Sequence, residues 1–236
     1  MAQSNSAVWI TGASSGIGKS IALEFASNGN VVAASSRNNE ALKRLKKEAG
    51  DKSLIETFPL DIKDPNQVLE TVEKISQNYN INCLINNAGS TTFKLAVDNS
   101  LTEIDEILKT NLNGAIYAIK SVLPKMLEKK EGMIINIISV AAEKVLTKSS
   151  VYAASKAGLQ TYTKVLREEL RNSNIKIVNI LPGATRTPIW PNNVLEKHSE
   201  RMMSPSELAK FIYSIYSIKS NLVPEEVTIR PIKGDL

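Results

Sequence analysis

Short apolar runs alternate with longer segments of mixed polarity along the whole chain. Ala7–Thr11, Asn30–Ser36, Leu54–Leu60, Ile81–Asn86, Gly132–Ser139 and Ile175–Leu181 have strand length and are largely apolar, as strands buried on both faces require. The segments between them carry helical spacing. Gly16–Asn28 places Ile17, Ile21, Leu23, Phe25 and Ala26 on a helical period and ends at Asn28-Gly29, while Asn39–Ala49 is charged and closes at Gly50. Asp64-Pro65 joins a capping acid to a proline at the first helical position and predicts a helix to about Gln77. Ser100/Leu101 to Lys130 reads as one long amphipathic stretch, interrupted at Asn113-Gly114 and at Pro124. Ser149–Arg171 and Pro205–Ser217 predict two further helices and Glu226–Pro231 a last strand. Between Pro182-Gly183 and about Ser204 an irregular segment is expected.

This alternation predicts an α/β fold, a doubly wound, Rossmann-like parallel sheet of about seven strands with helices on both faces. No Gly/Ser linker, repeat or low-complexity tract divides the 236 residues, so a single domain, 1–236, is expected.

Composition changes the picture little. Hydrophobic residues at 42% and charged residues at 22% are the balance of a folded domain. Cys83 is the single cysteine, which excludes an intrachain disulfide and fits a reducing compartment. Met1–Ala7 is polar and has no leader pattern, and the longest apolar stretch, Met133–Ala142, falls far short of the ~20 residues of a membrane helix. A soluble, cytoplasmic protein with no membrane partner is the expectation. The net charge of +5 is spread among acids, as in Lys43–Glu48 and Lys125–Glu131, and aromatics make up only 5%, so nucleic acid is not the expected partner.

The candidate chemistry begins at the first strand–helix junction, Thr11-Gly12-Ala13-Ser14-Ser15-Gly16-Ile17-Gly18. Its glycines let backbone N–H groups and a helix N-terminus approach a pyrophosphate, where the helix dipole favours negative charge. The spacing differs from G-x-G-x-x-G and lacks the Gly-Lys-Ser/Thr ending of a P-loop. Further on come Asn86-Asn87-Ala88-Gly89 after the fourth strand, Asn111 in the long helix, Ser139 at the end of the fifth strand, Tyr152-x-x-x-Lys156, and Pro182-Gly183 after the sixth. In this order, over roughly Ala7 to Thr187, these pieces resemble the single-domain branch of the short-chain dehydrogenase/reductase family.

The resemblance implies hydride transfer between a nicotinamide cofactor and a carbonyl or secondary alcohol. Gly12, Ser14, Ser15, Gly16, Ile17 and Gly18 would cradle the pyrophosphate, and Asn87, Ala88 and Gly89 would line the adenine-ribose side. The second strand ends Ser35-Ser36-Arg37, without the acid that usually accepts from both ribose hydroxyls in NAD-linked folds. Ser36 does not repel a 2′-phosphate and Arg37 can pair with one, which favours NADP(H), with NAD(H) as the alternative. Lys19 and Asn38 are auxiliaries to that contact. Asp61-Ile62 is either the adenine contact or a capping turn before Asp64-Pro65. Pro182, Gly183, Thr185 and Thr187 would approach the nicotinamide carboxamide.

Tyr152 and Lys156 project from one helix face, and Ser139 lies at the crevice outside the strand ends. A free phenol is a poor acid–base group at neutral pH, and a nearby ammonium is expected to lower its pKa. In the family's pattern Tyr152 is the acid or base, Ser139 donates to the substrate oxygen, Lys156 bonds the nicotinamide ribose, and Asn111 holds a water linking Lys156 to solvent. Pro188–Met203 is the expected substrate lid (about residues 188–204). Its Trp190, Met202 and Met203 form either an apolar cover or packing against the sheet edge. His198, the only histidine, has no nearby partners for a metal, and none is expected. A homodimer or homotetramer assembled through Leu101–Lys130 and Val151–Arg171 follows from the resemblance. The tail Pro224–Leu236 lacks the Asp-Gly-Gly ending of many acyl-carrier-protein reductases, which weakens an assignment to fatty-acid synthesis. An NAD-linked alcohol dehydrogenase is the alternative enzyme. A non-catalytic dinucleotide sensor is the alternative from another class, and intact Ser139, Tyr152 and Lys156 count against it.

Overall fold

The computed structural model describes residues 6–50, 54–234 and 236, so most of the polar Met1–Ala7 start lies outside the described residues. Seven strands form one parallel sheet in the order β3-β2-β1-β4-β5-β6-β7. They are β1 (Ser6–Thr11), β2 (Val31–Ser36), β3 (Ile55–Pro59), β4 (Asn80–Asn86), β5 (Gly132–Ile137), β6 (Ile175–Pro182) and β7 (Glu226–Ile229). The order reverses between β1 and β4, and that reversal opens a crevice at the carboxyl ends of the strands.

Eight α-helices cover the described sheet: α1 (Gly16–Ser27), α2 (Asn39–Glu48), α3 (Pro65–Ser76), α4 (Leu101–Leu108), α5 (Gly114–Lys129), α6 (Ser150–Glu169), α7 (Asn192–His198) and α8 (Pro205–Tyr216). Strand alternation divides the core between two faces. Val8 and Ile10 of β1 pack with Phe25 of α1, Leu42 and Leu45 of α2, and Ile212 of α8. Trp9, between them, points the other way, toward Val72 of α3, Ile119 of α5 and Leu166 of α6. Caps fix where helices begin: Asn38 accepts from Ala41 N, Asp64 from Asn66 N and Gln67 N, and Ser100 and Glu103 complete a capping box.

Two expectations are corrected. Pro124 does not interrupt the long stretch, because it sits on the exposed side of α5, where the carbonyl that loses its partner is in water. The irregularity at Asn113-Gly114 is a π-helical turn, Lys109–Asn113, through which α4 continues into α5. The segment after β6 is also more ordered than expected. It contains α7 and a short 3-10 turn at Ser199–Arg201, and a bridge between Thr185 and Met203 closes its base.

A row of polar side chains crosses the far half of the sheet. Asn86, Asn136, Asn179 and Glu226 stand at matching register on β4, β5, β6 and β7. Each amide donates to the next: Asn86 to Asn136 at 3.0 Å, Asn136 to Asn179 at 3.1 Å, and Asn179 to the Glu226 carboxylate at 3.2 Å. Three asparagines are thereby buried in an apolar sheet with their amide donors satisfied.

Candidate active site

The crevice holds a cavity of about 610 Å³, within the range of cofactor and ligand sites. On its β1 side the walls are backbone. Gly12 has φ +66°, and a Cβ there would lie 2.7 Å from Ala88 Cα. Gly16 has φ +54°, and a Cβ there would lie 3.1 Å from Thr187 Cβ, so the segment after β6 meets the glycine loop. Only glycine tolerates both the conformation and the closeness. Thr11 ties this loop to the next one: its hydroxyl accepts from Asn87 N and Ala88 N, each at 3.1 Å, and Asn87 Nδ2 donates to Thr11 O and Gly12 O. Ser15, at the N-cap of α1, makes no side-chain cap. The first-turn N–H groups beside Gly16 and Ile17 are therefore free of a side-chain cap at the cavity wall, a donor set suited to a pyrophosphate.

The expected site residues Gly12, Ser14, Ser15, Gly16, Ile17, Ser36, Arg37, Ile62, Asn87, Ala88, Gly89, Ser139, Tyr152, Lys156, Pro182, Gly183, Thr185 and Thr187 all line this one cavity. Gly18, Asp61 and Asn111 do not. Gly18 is packed against Asn87 and the Gly12 carbonyl, so it shapes the loop from behind. Asp61 accepts from Lys63 N at 3.1 Å and pairs with the Lys63 ammonium at 3.7 Å, within the turn before α3. Of the auxiliaries, Asn38 lines the cavity while its Oδ1 caps α2, and Lys19 pairs with Glu48 at 2.6 Å. Arg37 stays exposed at the cavity wall, and the end of β2 carries no acid.

At the other side of the cavity, Ser139 follows β5 in extended conformation and its Oγ accepts from Ala141 N at 3.1 Å. Tyr152 lies in the first turn of α6, and its phenol shares the cavity wall with the Ser139 hydroxyl, which acts on it electrostatically. Lys156, one turn on, is buried, and its Nζ donates to Ile137 O at 2.7 Å. The ammonium lies 5.8 Å from the centre of the Tyr152 ring. Desolvation pulls Lys156 down from its ordinary value to about 8.

The expected lowering of the phenol by Lys156 is corrected. Burial holds the Tyr152 phenol above the ordinary tyrosine value, and the opposing pull comes from the Ser139 hydroxyl. Asn111 sits within the π-helical turn, and its side-chain amide is held by protein groups. Its Nδ2 donates to Ser90 O at 2.9 Å and Ser155 Oγ at 3.0 Å, and its Oδ1 accepts from Ser90 N at 2.8 Å. Ser155 Oγ in turn donates to Tyr152 O at 2.7 Å. With its amide engaged at both ends, Asn111 braces the loop after β4 against the turn of α6 that carries Tyr152.

The walls also include Thr91, Phe93, Leu146, Ser149, Ile189 and Trp190. Of these only Trp190 was singled out by sequence, because loop residues from separate crossovers share no spacing that marks them. Among the described residues no group of three or more His, Cys, Asp or Glu side chains is placed to hold a metal ion, and no helix is long and apolar enough to cross a membrane.

A glycine-walled cradle at the β1 end and a Ser139–Tyr152–Lys156 group at the β5 end thus share one crevice. A family model described as short chain dehydrogenase matches residues 6–198. The chain belongs to the short-chain dehydrogenase family. A sepiapterin reductase of Chlorobaculum tepidum is 34% identical to this short-chain dehydrogenase, with 96% of each chain covered. A 3-oxoacyl-(acyl-carrier-protein) reductase of Thermotoga maritima is 35% identical, with 92% of this chain and 93% of its own covered. Among solved structures, a closed form of serine dehydrogenase complexed with NADP+ superposes with a TM-score of 0.90 at 25% identity, covering 97% of this chain and 96% of that one. The family fixes the class of chemistry: this short-chain dehydrogenase is an oxidoreductase acting on CH–OH or C=O groups.

Proposed function

We propose that this short-chain dehydrogenase is an NADP(H)-dependent reductase of a carbonyl group, with Tyr152 as the proton donor. Ser139, Tyr152 and a buried Lys156, brought to one wall of the cavity from β5 and α6, carry the reading. With its pyrophosphate in the glycine-walled half and its nicotinamide beside residues 182–187 and Lys156, the cofactor would supply the hydride. The rest is work for the chain's own side chains. Ser139 is placed to donate a hydrogen bond to the substrate oxygen. Tyr152 then passes its proton to that oxygen as negative charge develops there. At neutral pH the phenol carries the proton that reduction requires, and the preference for NADPH sets the proposed direction.

The cofactor preference rests on the same cavity. Arg37 at its wall, exposed and following Ser36, fits a 2′-phosphate better than two ribose hydroxyls. Structural relatives bound to NADP+ or NADPH, the polyketide ketoreductase for actinorhodin among them, support this side of the choice. Assembly into a homodimer or homotetramer through α4, α5 and α6 belongs to the proposal as well. Leu101 and Val165 leave apolar surface exposed on α4 and α6. The enzyme is proposed to act in the cytoplasm.

The deciding experiment follows NADPH consumption against a panel of carbonyl compounds, with Tyr152→Phe as the comparison. Loss of the proton donor is expected to lower kcat by about 10²–10⁴-fold. NADPH binding, read from cofactor fluorescence, is expected to change less than about twofold, since no charged contact is removed. Equal turnover by Tyr152→Phe would overturn the proposal. Tight NADPH binding with no turnover of any carbonyl would return the sensor reading.

A further inference from the structure

The substrate end of the cavity is built by two loops that the sequence keeps far apart. Phe93 lies in the loop after β4 and Trp190 in the lid after β6, and their rings stack with centroids 5.0 Å apart and planes 19° off parallel. Strands β4 and β6 flank β5 in the sheet. The pair therefore spans the carboxyl end of β5, where Ser139 stands. The Trp190 indole N–H is used up on Thr185 O at 3.0 Å, which leaves an apolar aromatic face toward the cavity. Val140, Ala141, Leu146 and Ile189 complete apolar walls around it.

Charge is missing from this end. Among the described residues lining the cavity, only Arg37 and Lys156 bear charged side chains. Arg37 follows β2, three strands away from β5, and the Lys156 ammonium is bonded to Ile137 O. A carboxylate or phosphate brought beside Ser139 would be desolvated without a counter-charge. A flat neutral group, in contrast, gains stacking on the exposed faces of the ring pair. With centroids only 5.0 Å apart the rings leave no slot for a third ring between them, so stacking is against the pair from outside.

From these contacts we infer that the substrate is an uncharged carbonyl compound carrying an aromatic or similarly flat group, seated against the Phe93–Trp190 stack. This rests on the reductase reading and narrows it to a substrate class. The test compares acetophenone, 4-acetylbenzoate and 2-butanone with the whole enzyme and NADPH. Acetophenone is expected to exceed 2-butanone in kcat/KM by about tenfold, and its carboxylated analogue by about 30-fold. Phe93→Ala is expected to raise the KM for acetophenone and to shrink its advantage over 2-butanone to less than about threefold. A second readout needs no turnover. Titration with 1-phenylethanol should shift Trp190 emission, and the shift should vanish in Trp190→Phe, leaving the fully buried Trp9 as the constant background.

Equal or better use of 4-acetylbenzoate would overturn the inference, as would an acetophenone preference that survives Phe93→Ala. Either result leaves the reductase reading intact. An emission shift without NADPH consumption by any ketone would instead sink the reductase reading while supporting the ring-binding wall.

Discussion

The two halves of the cavity are made from different material. On the β1 side, backbone forms the wall: Gly12 and Gly16 in left-handed conformation, Ala88 pressed against the loop, and the uncapped start of α1. On the β5 side, side chains form it: Ser139, Tyr152, Phe93 and Trp190, with a buried lysine beneath. A backbone wall can hold the invariant part of a ligand, such as a phosphate, and tolerates little change in shape. A wall of side chains can be revised one residue at a time, which suits the part of a reaction that differs between relatives.

If the contrast is real, the largest damage from a single methyl group should fall on the backbone half. Gly12→Ala must accept φ +66° and a Cβ 2.7 Å from Ala88 Cα. A loss of about 2–4 kcal/mol in stability is expected from the strained backbone and the overpacking together. NADPH affinity should fall at least about tenfold, since shifting the loop by a few tenths of an ångström misplaces its N–H donors. Gly29→Ala is the control: it has φ +82°, but among the described residues an added Cβ meets nothing within 4 Å. It should lose only about 1–2 kcal/mol, with NADPH binding unchanged. Denaturant melts and fluorescence titrations would separate the two, and equal losses in cofactor affinity would erase the distinction.

Arg37 is the exception in the backbone half, a side chain proposed to choose the cofactor. Arg37→Ala should raise the KM for NADPH by about 10–100-fold, the worth of charge-assisted hydrogen bonds, while the KM for NADH moves much less. Parallel losses for both cofactors would show that Arg37 serves the loop rather than the phosphate.

The smallest effect tests the buried lysine of the other half. Lys156 is lowered from 10.5 to about 8. Between those values the unfolded chain holds a proton that the native protein has shed. Stability should therefore rise with pH across this window, by no more than about 1.4 kcal/mol per pH unit. Below about pH 8 both states are protonated and the contribution is flat. Subtracting the urea stability of Lys156→Met at the same pH values isolates the slope. A difference that stays flat from pH 8 to 10 would mean that the ammonium is not desolvated.

The backbone half was also the more legible in the sequence. Its glycines and the Asn86–Gly89 segment are local patterns with a geometric cause, as in the other half is the Tyr152/Lys156 spacing alone. Strand limits read from apolar runs agree with the sheet to within about two residues at either end. What escaped was set by tertiary context. Phe93 and Trp190 meet only because β4 and β6 flank β5. Helix α7 begins after Pro191 with Val194 and Leu195 its only half-buried apolar residues, too short an apolar pattern to mark a helix. Pro124 looks like a break until the exposed face it occupies is known. The odd position of Asn111 in the helix is visible in the sequence, whereas the bonds of its amide to Ser90 and Ser155 depend on how α6 docks.

The row Asn86–Asn136–Asn179–Glu226 bears on how the sheet assembles. Strands such as β5 and β6 are strings of near-interchangeable aliphatic residues, which could slide past one another with little change in burial. One amide at the same level in each acts as an alignment pin: a slip by a single position would strand polar groups in hydrocarbon. The peptides just beyond the pins, at Asn87 and Ile137, then emerge at a common height. Tyr152 and the glycine loop accordingly face each other across a single opening without any contact of their own to arrange it.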